Sequence, residues 1–359
     1  MARLSWNAER NWPGRPGRKV RHLRPMIGLA VMISGVSLAE PTAPLADGGM
    51  AGAVADHADF TVLTYNVKGL PWIVAGDRGP ALRAIGDRLA RLRAVGSQPG
   101  VVVLQEAFIA EAREIGARGG YRYQVSGPIV RDGPSGEISG RAWYRGETGP
   151  AVVDSGLVIL SDYPVESVER AAFPADACAG FDCLAAKGVV LATVRTDRGQ
   201  VAVATTHLNS GRASRASRAE ALAAYERQTR FLSDWLRHHR DPAVPLVLAG
   251  DMNRGKRPGR IASLEAALDA LPARQPGDAL TRSIAASAVT GRAADARWIA
   301  AHGRDLQFAF HGSTARVEPV SARILFGTEP DGSSLSDHFG YAIGYRIGDA
   351  AVTAGRRKT

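Results

Sequence analysis

The sequence predicts an α/β protein built from two mixed β-sheets packed face to face, with helices on the outside. Three observations predict this. Apolar runs of strand length recur through most of the 359 residues from Phe60 onward. Amphipathic stretches of helical period lie between some of them. Other neighbouring runs are joined by turns too short for a crossover helix, which argues against a fully parallel, doubly wound sheet.

Phe60–Val67 alternates as a strand. Leu82, Ile85, Leu89, Leu92 and Val95 recur at helical spacing with arginines between them. Val101–Leu104 is a continuous apolar run, the pattern of a strand buried on both faces. Gly127–Pro150 holds six Gly, three Pro, Trp143 and Tyr144, and a loop of that length in a compact domain is usually functional. Gly156–Leu160, Val189–Arg195 and Val201–Thr206 follow as strands, the last two joined as a hairpin at Asp197-Arg198-Gly199. Leu222, Tyr225, Leu232, Trp235 and Leu236 mark a long helix, and Leu246–Ala249, Leu306–Phe310 and Phe339–Ile343 complete the strands.

The formal charge of +10 is unevenly placed. Residues 1–39 carry seven bases and one acid, and the tail Arg356-Arg357-Lys358 carries three more bases. The body between them is near neutral, so the overall charge gives no argument for a nucleic-acid partner. The basic start is followed by the apolar run Met26–Leu38, too short to span a bilayer comfortably, with Ser37 and Ala39 fitting a cleavage site. The expected organisation is a signal peptide over 1–39, a linker over 40–58, a catalytic domain over 59–348 and a basic tail over 349–359. The expected destination is the periplasm or the exterior. Cys178 and Cys183, with four residues between them, suit a small disulfide loop in an oxidising compartment.

Five short motifs sit at strand ends: Tyr65-Asn66, Gln105-Glu106, Thr206-His207-Leu208, Gly250-Asp251-Met252-Asn253 and Ser336-Asp337-His338-Phe339-Gly340. Each alone has an ordinary reading as a turn Asn, a paired carboxylate or a backbone-bound His. Together they supply what phosphodiester hydrolysis needs. Asn66, Glu106 and Asp337 offer hard oxygen ligands to a divalent cation. Asp251 suits the activation of a water, and Asn253 and His207 suit the holding of phosphoryl oxygens. His338 fits either a general base or a phosphate donor, with Asp305 orienting its other ring nitrogen. No P-loop, GxSxG or HExxH pattern competes.

This ordered set resembles the endonuclease/exonuclease/phosphatase superfamily over about Phe60 to Tyr345. The resemblance implies a four-layered α/β sandwich. It also implies a metal-site role for Asn66, Glu106 and Asp337, phosphate contact for His207, and the Asp305–His338 pairing. Within the superfamily, Tyr-Asn-Val-Lys-Gly-Leu-Pro-Trp is similar to the opening motif of neutral sphingomyelinases. Asp154 falls where bacterial sphingomyelinase C has an active-site Asp, and Lys187-Gly188 resembles the Lys-Gly strand entry of those enzymes. The aromatic-rich hairpin of the bacterial toxins has no counterpart before Ser336, where Phe326 is the one aromatic. Trp72, or Trp143 with Tyr144, stand as replacements. The resemblance implies an exported, Mg²⁺-dependent phosphodiesterase of sphingomyelinase C type, with Mn²⁺ or Co²⁺ able to replace Mg²⁺. It would act as a monomer on a phospholipid, with peripheral membrane contact. An exported deoxyribonuclease-like endonuclease is the alternative. A phosphoinositide or sugar-phosphate phosphatase ranks lower, as does a catalytically silent binding module.

Overall fold

The computed structural model describes residues 58–133 and 140–349. The expected leader, nearly all of the linker and the basic tail lie outside the described residues. The described strands are β1 (Phe60–Gly69), β2 (Val101–Ala107), β3 (Tyr123–Ser126), β4 (Val158–Ser161), β5 (Val165–Ala172), β6 (Gly188–Thr196), β7 (Gly199–His207), β8 (Leu246–Asp251), β9 (Val289–Thr290), β10 (Asp305–Phe310), β11 (Ala315–Phe326) and β12 (Gly340–Asp349). They form a seven-stranded sheet in the order β3-β4-β2-β1-β12-β11-β9 and a five-stranded sheet in the order β10-β8-β7-β6-β5. Both sheets are mixed, as expected: β1–β2 and β7–β8 run parallel, while β1–β12, β6–β7 and β8–β10 run antiparallel.

Side-chain alternation builds the layers. Val62, Val101, Val103 and Ile159 of the first sheet meet Val190, Ala192, Val203, Val247 and Ala249 of the second in one buried cluster. The residues between them face outward. Leu63, Tyr65, Val102 and Leu104 pack on Leu82, Ile85 and Leu89 of the helix Gly79–Ala94. Leu191, Ala204, Leu246 and Leu248 pack on Tyr225, Leu232 and Leu236 of the helix Arg218–His239. That gives helix, sheet, sheet, helix. The second helix opens on a capping box, in which Ser217 accepts from the Glu220 N–H and Glu220 accepts from the Ser217 N–H.

The hairpin at 197–199 is present, with Thr196 opposite Gly199. Cys178 and Cys183 are joined as a disulfide, with their Cα atoms 5.2 Å apart. Strand β11 was not expected, and Pro319 explains why. A proline removes a ladder donor and reads as a break. Here the register shifts between Pro319 and Ser321, and the flank β11 turns away from β12 pairs with β9 only at Ala322 and Arg323.

The topology brings the motif-bearing ends to one rim. The C-terminal ends of parallel β1 and β2 carry Asn66 and Glu106, and those of parallel β7 and β8 carry His207 and Asp251. Antiparallel β10 begins at Asp305 opposite Asp251, and His338 lies two residues before the start of antiparallel β12. Gly250 is required here: its φ is +155°, and a Cβ at that position would lie 2.2 Å from the Thr206 carbonyl oxygen. Gly250→Ala is expected to lower stability by about 3 kcal/mol through the clash and the strained backbone, read as a lower urea midpoint with an unchanged slope.

Candidate active site

Asp251 is 1% exposed and lies at the centre of the rim. Its Oδ1 accepts from the Asn253 N–H at 3.0 Å, and its Oδ2 accepts from Asn66 Nδ2 at 3.1 Å. His207 Nε2 lies 3.4 Å and His338 Nε2 lies 3.8 Å from that same Oδ2. Burial opposes its charge, but the two histidines and the two donors outweigh burial and hold the carboxyl below its usual range. His338 Nδ1 meets Asp305 Oδ2 at 2.7 Å. Burial acts against the imidazolium, yet Asp305 and Asp251 raise its pKa to about 10. Burial pushes the Asp305 carboxyl up. Among the described residues Asp251, Asp305 and His338 form one tight carboxylate–imidazole cluster. At neutral pH these shifts favour an ionised Asp251, which can accept a proton, and a protonated His338, which can donate one.

His207 has the opposite electrostatics. Burial, then the nearby Lys187 ammonium, lower its pKa to about 4. Lys187 Nζ lies 3.2 Å from His207 Nε2, donates to Asp182 Oδ2 at 3.0 Å and reaches the Leu208 carbonyl at 3.3 Å. Asp182 also accepts from the Ser210 N–H and, at 3.1 Å, from Ser210 Oγ. Lys187 is therefore a buried group wired to the site rather than a solvated edge lysine. Asp182 went unnoticed in the sequence because it sits between the two cysteines and not at a strand end.

Asn66 is fully buried and places its amide nitrogen between the two sheets, donating to Glu106 Oε1 at 2.9 Å as well as to Asp251. Its Oδ1 accepts from the Lys68 N–H at 3.1 Å. Asn66 thus presents nitrogen, not the expected ligand oxygen, to Glu106. Glu106 has φ +57°, an uncommon conformation for a non-glycine residue. Burial raises its carboxyl pKa, and the Asn66 hydrogen bond offsets part of that rise. Among the described residues no Lys or Arg pairs with Glu106, and His207 Nε2 lies 4.0 Å away. A half-buried carboxylate with one donor and no cation of its own fits a divalent ion.

The remaining expected residues divide. Asn253, at φ +45°, donates to the Leu208 carbonyl at 3.0 Å, which leaves its second amide hydrogen for a ligand. Asp337 is exposed and pairs with Lys68 Nζ at 3.1 Å, on one lip of the site. Asp154 lies outside the cluster: its carboxylate takes Arg113 and the Gly156 N–H, while its carbonyl accepts from the Ala186 N–H beside Lys187.

The two histidines make a checkable pair. In the metal-free protein, imidazole NMR signals should show His338 still protonated at about pH 8 and His207 neutral at about pH 6. Asp305→Asn should return His338 towards 6.5. The linkage signs are opposite. The stability that His338 contributes is fully present below 6.5 and is lost as pH rises through about 10. The contribution of His207 is present above 6.5 and is lost as pH falls towards about 4.

Comparison with solved structures places this geometry among known folds. A double mutant of β toxin from Staphylococcus aureus, solved with bound magnesium ions, is 18% identical with TM-score 0.56, covering 80% of this chain and 99% of that one. Sphingomyelinase C from Streptomyces griseocarneus is 24% identical with TM-score 0.51, covering 79% and 98%. TDP2 from D. rerio, solved with a single-strand DNA product, is 15% identical with TM-score 0.50, covering 80% and 98%. At these identities the likeness is one of fold. No curated protein matches the sequence. The model of the Endonuclease/Exonuclease/phosphatase family matches residues 63–338, so the chain belongs to that family, whose members are phosphoric ester hydrolases.

Proposed function

We propose that the protein is an exported, Mg²⁺-dependent phosphodiesterase of sphingomyelinase C type. The observation that carries the lipid reading is the apolar rim on both lips of the site. On one lip the four-residue helix Trp72–Ala75 buries none of its residues, and Trp72 is 75% exposed. Arg78 anchors that lip by donating to the Val67, Lys68 and Leu335 carbonyls, beside Ser336 and Asp337. On the other lip Trp143 is 80% exposed and sits edge-to-face with Tyr144, next to the turn that carries Asp182. Exposed rings and aliphatics framing a reaction centre suit a substrate held in a bilayer.

Asp251 takes a proton from a water positioned in line with phosphorus. The water oxygen bonds to phosphorus as the bond to the lipid-side oxygen breaks; that oxygen keeps the bonding pair, takes a proton from solvent and leaves as the lipid alcohol, and the headgroup is released phosphorylated. His338 donates to a phosphoryl oxygen as charge builds there, and Asp305 keeps that donor oriented. Asn253 adds a neutral donor, and the Lys187 ammonium, engaged by Asp182, His207 and the Leu208 carbonyl, adds positive charge behind it. A divalent cation held through Glu106, with Asn66 orienting the carboxylate, would neutralise phosphate charge. The disulfide supports export, and no helix among the described residues is long and apolar enough to cross a membrane.

The full chain is tested on sphingomyelin and phosphatidylcholine vesicles for released phosphocholine, and on plasmid DNA, each with Mg²⁺ and with EDTA. Metal-dependent phosphocholine release with intact DNA is expected. DNA cutting with untouched lipid would establish the nuclease alternative instead. Asp251→Asn and His338→Gln are each expected to lower kcat by about 100-fold or more. Glu106→Gln is expected to weaken Mg²⁺ binding by about tenfold or more in calorimetry, and unchanged binding would remove Glu106 from the metal site.

A further inference from the structure

The connection between β7 and the helix Arg218–His239 holds Arg212 and Arg215, and Arg218 is the first residue of that helix; all three are exposed. Among the described residues no carboxylate lies within ion-pair distance of any of them. The neighbouring acids are engaged elsewhere: Asp182 by Lys187 and Ser210, Glu220 by the Ser217 cap, and Glu147 by the Ala142 and Gly180 N–H groups. Two of the three arginines work against local structure. Arg215 has φ +56°. Arg218 opens a helix, where the macrodipole disfavours a cation. Helix stability therefore does not account for their placement.

This turn is packed against the aromatic lip. The Ser214 carbonyl accepts from the Phe181 N–H at 2.8 Å. Arg145, stacked over the Tyr144 ring, reaches the Arg215 carbonyl at 3.4 Å. The Ala151 N–H bonds the Arg131 carbonyl, which brings exposed Ile129 and Val130 beside exposed Val152 on the same lip. The result is a ridge of unpaired guanidinium groups alongside exposed rings and aliphatics, two residues past Ser210 and hence at the mouth of the site.

We infer that this ridge docks the enzyme onto a bilayer surface that contains anionic lipid, the arginines meeting headgroup phosphates while Trp143, Tyr144 and Val152 enter the interface. The inference rests on the lipid reading and adds a lipid composition to it. A single-stranded nucleic acid would use the same arginines and rings. It would gain nothing from the exposed valines and isoleucine, which a bilayer interface accommodates.

The test measures binding without turnover. The full chain, in EDTA, is co-sedimented with phosphatidylcholine vesicles and with mixed phosphatidylcholine–phosphatidylglycerol vesicles. Binding is expected to be much tighter to the mixed vesicles than to phosphatidylcholine alone, and the difference should shrink at high salt. At about 1 kcal/mol per arginine near an anionic surface, the Arg212→Ser/Arg215→Ser/Arg218→Ser variant should bind about 100-fold more weakly. Trp143→Ala/Tyr144→Ala should also lose affinity while keeping the salt response. An unchanged thermal midpoint shows that the variants are folded. Equal binding of the arginine variant to mixed vesicles overturns the proposal. So does binding of a single-stranded oligonucleotide, but not of vesicles, through these arginines. Vesicle binding without phosphocholine release would leave the docking surface standing and remove the enzymatic reading, and the converse would do the reverse.

Discussion

The structure turns on one buried charge, the carboxylate of Asp251. A carboxylate removed from water is tolerated only where donors and cations replace its hydration. Here Asn66 arrives from the opposite sheet, the Asn253 N–H from the chain just beyond, and two imidazoles from either side. Because the donors come from both sheets, the sandwich must close in one register for the charge to be satisfied. Other polar ties hold that register. Gln105 Nε2 reaches Thr205 Oγ1 at 3.2 Å, Gln307 Nε2 reaches the Val62 carbonyl at 3.2 Å, and Tyr341 Oη donates to the Asp305 carbonyl at 3.1 Å. Such ties cost burial energy and give specificity of alignment.

The rim was legible in the sequence because its residues follow strongly patterned strands. Val101–Leu104 and Leu246–Ala249 are unmistakable buried strands, so the polar residues after them had to lie at an edge. The Asp305–His338 pairing was legible through residue chemistry and the family resemblance rather than through spacing, since the partners are thirty-three residues apart. Asp182 and Lys68 carried no such mark. Asp182 lies in a short turn between two cysteines, and Lys68 follows Asn66 at φ +51°. Their roles arise from tertiary placement, which local pattern does not encode. The orientation of Asn66 was equally hidden: residue type offers an oxygen and a nitrogen, and the packing decides which faces Glu106.

Arg260 shows how the frame behind the site is kept rigid. It is 2% exposed and has no carboxylate partner among the described residues. Its guanidinium lies over the Tyr225 ring and donates to the carbonyls of Asn209 at 2.7 Å, Asn253 at 2.8 Å, Ser210 at 3.1 Å and Ala221 at 3.3 Å. Burial lowers its pKa, but a guanidinium stays charged in a protein. Carbonyl oxygens from the two turns that follow His207 and Asp251 replace its water. One cation therefore fixes both turns to the helix Arg218–His239, which lies behind them.

The same end of the molecule explains why net charge said so little. Averaged over the chain outside its termini, bases and acids nearly cancel. Positioned in the fold they separate, because Asp251 and Asp305 are buried and Asp182 is half-buried and paired with Lys187 within the site. Bases such as Arg212, Arg215 and Arg218 stand in solvent at its mouth. What an approaching partner meets is the exposed set, screened over a Debye length of about 8 Å at physiological salt, so the local field at the mouth is basic on a body whose sum is near zero. Composition fixes the total of that field, and only the fold fixes where it acts.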